Sequence, residues 1–331
     1  GIKGPQRARA GARLQHELLV QFHPDGVNAE QAFGYVPFVW ELALLAMHAA
    51  ECAGEQVRPE VWERLTHSLE FMRTVRLPDG RLPQIGDEDD GRVLLAWDGA
   101  SRLDLVGNAL AARVGAAALD GRATGLASLL TGATGRAARP AADGVHRFPD
   151  GGWTVWRDRG LLVTFDHGPL GLGALAAHGH ADALAVTVWN GADGIAVDPG
   201  TFAYQEDDAA RARCRSTPVH STVHFGGRSQ SLMLGPFLWG QRAVVAPAGE
   251  FYSCVWASGE RHDRRVQVAG GGVTIEDRVR GADPHVVFAL APGADATLGG
   301  TRAEVTSGGA RAVFHGEGLE PWQLEPAEHA A

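Results

Sequence analysis

Lysine, cysteine and tyrosine are all scarce in this chain of 331 residues. Lys3 is the only lysine, so arginine carries nearly all of the positive charge, a bias that suggests a GC-rich genome. An amine nucleophile for Schiff-base chemistry is therefore disfavoured. Cys52, Cys214 and Cys254 are widely spaced and form neither a zinc-ligand pair nor a disulfide framework, so we expect buried or idle thiols.

Long apolar runs and an excess of positive charge are also missing. No apolar run reaches the roughly 18 uncharged residues of a spanning helix, so membrane insertion is not expected. The first residues, GIKGPQRARAGARLQ, lack the apolar core of a signal peptide, and we expect a soluble bacterial protein, cytoplasmic or exported. The net charge of −9 disfavours nucleic acid as a partner.

The spacing of apolar residues changes at a joint rich in proline, glycine and alanine, residues 135–148. Before the joint, helical spacing predicts a helix ending near Gly54, another starting at Pro59, a third from Ser101 through Ala117, and a weaker one over 122–131. After it, short alternating runs predict antiparallel strands packed as a sandwich. The predicted fold class is thus α+β multidomain, with a helical domain over 1–140 and an antiparallel β-sandwich over 141–331.

Histidines and aspartates cluster at the ends of the apolar run HGHADALAVTVWNGADGIAVDPGTFAYQ, residues 178–205. His180, Asp198 and the later His220 offer two imidazoles and a carboxylate, a donor set that suits zinc, although scattered structural histidines explain the same residues. If Ala192 and Asp193 form the hairpin turn, the strand geometry separates Asp198 from His180. Shared coordination then requires a bulge, another register or a folded-back HGHAD loop.

A polar segment before the first predicted helix, HPDGVNAEQAFGY, residues 23–35, supplies further candidates. Asn28, Glu30, Gln31 and Tyr35 can line the mouth of a cavity, whereas the alternative is that Asn28 or Asp25 merely caps the helix. The acidic segment PQIGDEDDGR, residues 83–92, is either a solvated loop or part of a cleft wall, and it lacks the spacing of a calcium loop.

Few tyrosines are available for proton transfer. Tyr252 lies in an alternating strand and is expected to pack, which leaves Tyr35 and Tyr204. Among the arginines near His220, Arg215 is the preferred group for binding a ligand carboxylate, because a guanidinium holds a carboxylate through two hydrogen bonds. Arg211 and Arg213 are equally well explained as members of a solvated loop.

Several of these segments resemble the heparinase II/III-like polysaccharide lyases. HGHADALAVTVW, IAVDPGTFAY and RCRSTPVHSTVHFGG resemble the C-terminal region of that family, and FHPDGVNAEQAFGYVPFVWELALLA and PQIGDEDDGR resemble its helical domain. The resemblance covers residues 20–290 and implies an N-terminal (α/α) toroid, incomplete and shortened here, followed by the β-sandwich.

The resemblance also implies a bound divalent metal, commonly zinc, where the sandwich meets the toroid. His180, Asp198 and His220 look like its ligands, and His178 resembles the active-site histidine of the family. Asn28 is similar to the group that neutralises the uronate carboxylate, with Gln31 beside it.

Catalysis implied by the resemblance is β-elimination of an acidic, uronate-containing polysaccharide or oligosaccharide. A base removes the C5 proton once the carboxylate is neutralised, and an acid protonates the departing O4. The hypothesis is that Asn28 and Arg215 hold the carboxylate while His178 and a tyrosine exchange protons. Related lyases often carry the tyrosine in the segment that here reads RLPQIGD, without one, so Tyr35 or Tyr204 is expected to substitute.

Three other functions fit some of these residues. A uronate C5-epimerase shares the proton abstraction but returns the proton. A catalytically reduced glycan-binding protein keeps the metal as a structural clip. A cupin-like metal oxygenase fits the histidine and carboxylate pattern but is disfavoured by the long helical half.

Overall fold

The computed structural model describes residues 4–89, 91, 93, 101–120, 136–202 and 204–324 of the chain. The predicted helix over 122–131 lies outside the described residues. The described part contains four helices before the joint and a short one among the strands: α1 Pro5–Gln21, α2 Val36–Cys52, α3 Pro59–Val75, α4 Arg102–Val114 and α5 Asp208–Cys214.

Three of these helices confirm the predicted elements. The apolar residues Val61, Leu65 and Leu69 of α3 are fully buried on one face, as their spacing predicts. The Ser101 hydroxyl accepts a hydrogen bond from the Asp104 amide at 3.1 Å and so caps α4. That helix stops earlier than the predicted Ala117, because Gly115 adopts the left-handed conformation that closes a helix.

Helix α2, with the turn before it, also satisfies the length and composition of a membrane-spanning helix over Phe33–Cys52. Half of this segment is buried inside the protein, and Trp40, Leu44 and Met47 contribute to the core. The core helix of a globular protein passes the same test, so this segment is weak support for a membrane span.

The strands of the described residues form antiparallel pairs throughout, as predicted. They are β1 Gly144–Phe148, β2 Trp153–Asp158, β3 Leu161–Asp166, β4 Val186–Asn190, β5 Asp193–Ala196, β6 Val223–Phe225, β7 Met233–Gly235, β8 Leu238–Trp239, β9 Val244–Ala248, β10 Phe251–Val255, β11 Arg261–Ala269, β12 Gly272–Arg280, β13 Pro284–Val286, β14 Asp295–Gly299, β15 Arg302–Ser307 and β16 Ala310–His315.

Five strands make the central sheet in the order β1-β2-β3-β4-β5, and four make a second sheet in the order β12-β11-β10-β9. A three-stranded sheet, β14-β15-β16, and the pairs β13-β6 and β7-β8 complete the described strands. Strands that are close in sequence pair with each other, so most connections are short hairpins.

Both faces of the central sheet are buried, which fixes the layering of the protein. Trp153 and Val155 of β2 pack with the helices, whereas Trp156 and Phe165 pack with Val266 of the second sheet. Alternate residues of a strand point to opposite faces, so β2 needs apolar residues at successive positions. The described helices form one outer layer; the (α/α) toroid and the division at residue 140 stay predictions.

The turn between β4 and β5 lies one residue earlier than expected. Asn190 pairs with Asp193, so the two turn residues are Gly191 and Ala192, not Ala192 and Asp193. Gly191 has a φ of 62°, a conformation that glycine adopts without a steric penalty. The register also shifts between Val188 and Trp189. Such an irregularity is one of the features that Asp198 requires to approach His180.

Gln31 joins the helical layer to the central sheet. Its amide nitrogen donates to the Gly151 carbonyl at 2.9 Å, and its amide oxygen accepts from the Trp153 indole at 2.7 Å. Nearby, an oxygen of Asp25 accepts from the amide of Gly151 at 2.9 Å. These contacts fasten the 23–35 loop to the turn between β1 and β2.

We expect Gln31→Ala to destabilise the protein, because it leaves the Trp153 indole and the Gly151 carbonyl without their buried partner. The loss is about 2–3 kcal/mol in the free energy of unfolding, measured by urea denaturation. The left-handed backbone at this position, with a φ of 56°, strains alanine as it strains glutamine, so this cost cancels between the two proteins. Gln267→Ala, at an exposed position of β11, is the control, and equal stability of the two variants would contradict the prediction.

Candidate metal and acid–base site

The candidate metal-site residues come together from three segments of the strand-rich half. His178 and His180 lie in the folded-back loop between β3 and β4, and Asp198 follows β5. His220 follows the short helical turn Thr217–Val219. The loop, not a strand, carries His180, and this arrangement brings it to Asp198.

His180, Asp198 and His220 form a group that can hold a metal ion. One ligand atom from each lies within 4.8 Å of the other two, and all three residues are buried. The Nδ1 atom of His180 is 3.4 Å from Nε2 of His220, which is 3.5 Å from Oδ2 of Asp198. Two imidazoles and one carboxylate are three of the four ligands of a tetrahedral zinc site.

Hydrogen bonds orient His220 and Asp198 for coordination. The Ser216 carbonyl accepts a hydrogen bond from Nδ1 of His220 at 2.8 Å, so Nε2 keeps its lone pair. One Asp198 oxygen accepts from the Gly200 amide at 2.9 Å, which leaves the other free. Burial lowers the pKa of His220 to about 4, so the imidazole is neutral at pH 7, the form that ligates metals. Burial raises the pKa of Asp198 to about 6.

Asp87 is the residue that connects the parts of this site. Its carboxylate contacts Nδ1 of His178 at 3.4 Å and Nε2 of His180 at 3.2 Å, and it forms an ion pair with Arg211. The Thr201 hydroxyl is 3.3 Å away. Burial alone would raise the pKa of Asp87, but the hydrogen bonds from both histidines and Arg211 hold it well below its usual range.

Sequence reasoning missed Asp87, because the acidic segment 83–92 fits a solvated loop as well as a cleft wall. The structure divides this segment: Ile85, Gly86 and Asp87 are buried, whereas Glu88 and Asp89 are exposed. The apolar residues just before Asp87 are the signal that indicates burial of the first carboxylate.

His178 and two tyrosines form the acid–base part of the site. The ring of Tyr35 lies 4.5 Å from that of His178, and the hydroxyls of Tyr35 and Tyr204 are hydrogen-bonded at 2.8 Å. The Tyr35 hydroxyl also contacts the Asp89 carboxylate at 3.1 Å. Burial raises the pKa of both tyrosines, so both phenols are protonated at neutral pH.

Both Nη atoms of Arg215 are used within the protein. Its guanidinium is fully buried and donates to the carbonyls of Gly235, Pro236 and Ala177. All three acceptors belong to the protein, so Arg215 fastens the β7–β8 hairpin to the His178 loop. Burial lowers its pKa to about 10.

Arg211 lies in the site instead. It is a residue of α5, it is 1% exposed, and its guanidinium packs on the rings of Tyr204 and Phe237. Besides its ion pair with Asp87, two of its nitrogen atoms, Nε and Nη1, have no hydrogen-bond partner among the described residues. The reading of Arg211 as part of a solvated loop is therefore wrong.

Asn28 and Gln31, two residues of the 23–35 loop with side-chain amides, differ in how many of their hydrogen-bonding atoms have partners. Gln31 uses both of its polar atoms at the junction with the central sheet. Asn28 is 1% exposed; its oxygen accepts from the Glu30 amide at 2.8 Å, and its nitrogen has no partner within the described part of the chain. Asn28 thus keeps an unused donor, whereas Gln31 does not.

A cavity of about 290 Å³ gives access to the acid–base residues. Its lining includes Tyr35, His178 and Glu30, together with Leu14, Leu18 and Phe38 from α1 and α2. Burial raises the pKa of Glu30, while His178 and a hydrogen bond with Gln21 oppose that shift.

Comparison with known families identifies this architecture. The family Heparinase II/III-like, C-terminal matches residues 140–331, more than half of the chain. The chain therefore belongs to the heparinase II/III-like family. No protein of curated function matches its sequence.

Solved structures show the same fold at low sequence identity. The heparan sulfate lyase HepC from Pedobacter heparinus superposes with a TM-score of 0.67 at 18% identity and over 91% of this chain. The heparinase III product of BT4657 superposes with a TM-score of 0.52 at 14% identity and over 93%. The chain spans 46% of the first structure and 61% of the second.

We expect Asp87→Asn to lower the free energy of unfolding at pH 7 by about 3 kcal/mol, because the charge of Arg211 stays buried without its partner. Urea denaturation measures this loss. Asp79→Asn, which removes an exposed pair with Arg81, is the matched control and changes stability by less than about 1 kcal/mol. Equal stability of both variants would show that Asp87 does not hold the site together.

Proposed function

We propose that this chain acts as a polysaccharide lyase that cleaves a uronate-containing, acidic polysaccharide by β-elimination. The observation that carries the proposal is the Tyr35–His178 pair, whose rings lie 4.5 Å apart and line the cavity. Membership of the heparinase II/III-like family and likeness to heparan sulfate and heparinase III lyases support the same reaction class.

His178 is the proposed base. Its Nδ1 contacts the ionised Asp87 carboxylate, so Nδ1 carries the proton and Nε2 is left to accept another. In the reaction, the C5 proton of the uronate passes to Nε2. The electron pair of the C5–H bond forms the C4–C5 double bond, and the C4–O4 bond breaks.

Tyr35 is the proposed acid that protonates the departing O4. Its raised pKa keeps the phenol protonated, which a proton donor requires. After transfer, the hydrogen bond with Tyr204 stabilises the phenolate oxygen until Tyr35 takes up a proton from solvent, while His178 releases the C5 proton to solvent. Tyr204 is thus a positioning residue.

Neutralisation of the uronate carboxylate falls to Asn28 and Arg211. The amide nitrogen of Asn28 has an unused donor among the described residues, and Arg211 supplies the positive charge of the site. Arg211 is preferred to Arg215 for this role, because both Nη atoms of Arg215 donate to carbonyls of the protein, whereas Nη1 of Arg211 has no partner among the described residues. Hydrogen bonds that strengthen as charge develops on the carboxylate lower the barrier to proton removal.

A divalent metal, most naturally zinc, is proposed at His180, Asp198 and His220. The fit rests on the neutral imidazole of His220 and on the free oxygen of Asp198. When bound, the ion supplies positive charge that compensates the buried Asp198 carboxylate. His180 lies two residues from His178, so this anchor also fixes the loop that carries the proposed base.

We expect His178→Ala and Tyr35→Phe each to lower kcat by about 10²–10⁴-fold, because each removes a proton-transfer partner. The assay follows the ultraviolet absorbance of the unsaturated uronate on heparan sulfate, heparosan, alginate and hyaluronan. Tyr252→Phe is the matched control, since Tyr252 stacks on His167 and belongs to the cluster between the two large sheets.

Different outcomes separate the competing functions. Inversion at C5 without unsaturated product indicates the epimerase. Binding of a polymer with neither reaction indicates a glycan-binding protein with a structural metal. Wild-type activity in His178→Ala removes His178 from the mechanism.

We expect one zinc ion per wild-type chain after dialysis against buffered zinc, measured by inductively coupled plasma mass spectrometry. His220→Ala removes one of the three donors and lowers zinc affinity by at least about 100-fold. His285→Ala, at a half-exposed histidine of β13, retains the ion as the matched control. Equal zinc content in the His220 and His285 variants would contradict the assignment.

A further inference from the structure

Phe237 stands at the turn of the β7–β8 hairpin and is 40% exposed. The hairpin beneath it is firmly held: the buried Trp239 donates its indole hydrogen to the Gly179 carbonyl at 3.0 Å. Arg215 packs on the Trp239 ring and donates to the Gly235 carbonyl at 3.2 Å. The hairpin turn is thus fixed relative to the loop that carries His178.

The contacts of Phe237 place its ring at the edge of the acid–base site. The Arg211 guanidinium lies over the ring, 4.0 Å from its centroid. The rings of His178 and Tyr204 meet it edge-on at 6.0 Å and 5.7 Å. Arg211 covers one face of the phenyl ring, while 40% of the residue stays exposed to solvent.

We infer that the exposed face of Phe237 is a stacking platform for a pyranose ring of the substrate, next to the sugar that reacts at His178. The C–H face of a pyranose is apolar and packs on an aromatic face, while the hydroxyls around its rim stay hydrated. Phe237 is rigid and solvent-facing, and its ring is 6.0 Å from that of His178.

The inference deepens the proposed function and rests on it for the identity of the sugar. Leu234 and Leu238 of the same hairpin are also exposed, so a protein surface that covers the hairpin is the competing occupant. The contact with His178 favours the sugar, because the polysaccharide whose reacting sugar lies at the proposed base places its next sugar unit beside Phe237. A covering protein would shield the proposed base from a polymer.

Steady-state kinetics on the polymer cleaved by wild type test the platform. We expect Phe237→Ala to raise KM about 5- to 10-fold with kcat within about twofold, and Phe237→Trp to retain the wild-type KM, because stacking contributes to binding alone. Val313→Ala, at a residue of β16 with the same 40% exposure, leaves both constants unchanged. An unchanged KM in Phe237→Ala overturns the platform, as does a fall in kcat alone.

Saturation-transfer NMR with hexasaccharides of heparosan, alginate and hyaluronan separates this inference from the proposed function. Transfer from aromatic protons to sugar ring protons is expected in wild type and Phe237→Trp. It is expected to weaken in Phe237→Ala without vanishing, because the aromatic rings of Tyr35 and His178 still lie at the reacting sugar. If wild type cleaves no polymer but shows this transfer, the lyase fails and the platform stands. If wild type shows no transfer to any of the three hexasaccharides, the platform is overturned. It is also overturned if Phe237→Ala changes the oligomeric state and retains the full transfer, because the hairpin then binds a protein surface.

Discussion

The buried carboxylate of Asp87 is the interaction on which the site depends. It lies between α3 and α4 of the helical layer in sequence, whereas His178, His180 and Arg211 come from the strand-rich half. An ionised carboxylate without partners is costly to bury, so Asp87 is stable there only when all three partners surround it. The histidines and the arginine in turn take their orientation from it. Docking of the helical layer onto the sheets and assembly of the candidate site are therefore one event.

The layering of the chain explains why this event is cooperative. The central sheet is apolar on both faces, and its two faces belong to two hydrophobic clusters, one shared with the helices and one with the second sheet. Gln31 adds polar contacts at the same junction. The candidate active-site loops are thus held between layers that each need the other for burial of their apolar surface.

Local signals in the sequence predicted much of this structure, and non-local contacts account for what they missed. Helical spacing predicted α2 and α3, because one face of each is apolar. The pattern of two histidines, an aspartate and a further histidine indicated the group that meets within 4.8 Å. Arg211 was misjudged because its helix has only seven residues and its ion-pair partner, Asp87, is 124 positions away. The roles of Arg215 and Gln31 depend on acceptors that no spacing rule reveals.

The two oxygens of Asp87 are divided between two imidazoles. One oxygen faces Nε2 of His180, and the other faces Nδ1 of His178. A rotation of this single carboxylate therefore moves the hydrogen-bond acceptors of both rings at the same time. A change in the position of the His180 ring is therefore transmitted through Asp87 to the ring of His178, which lines the cavity.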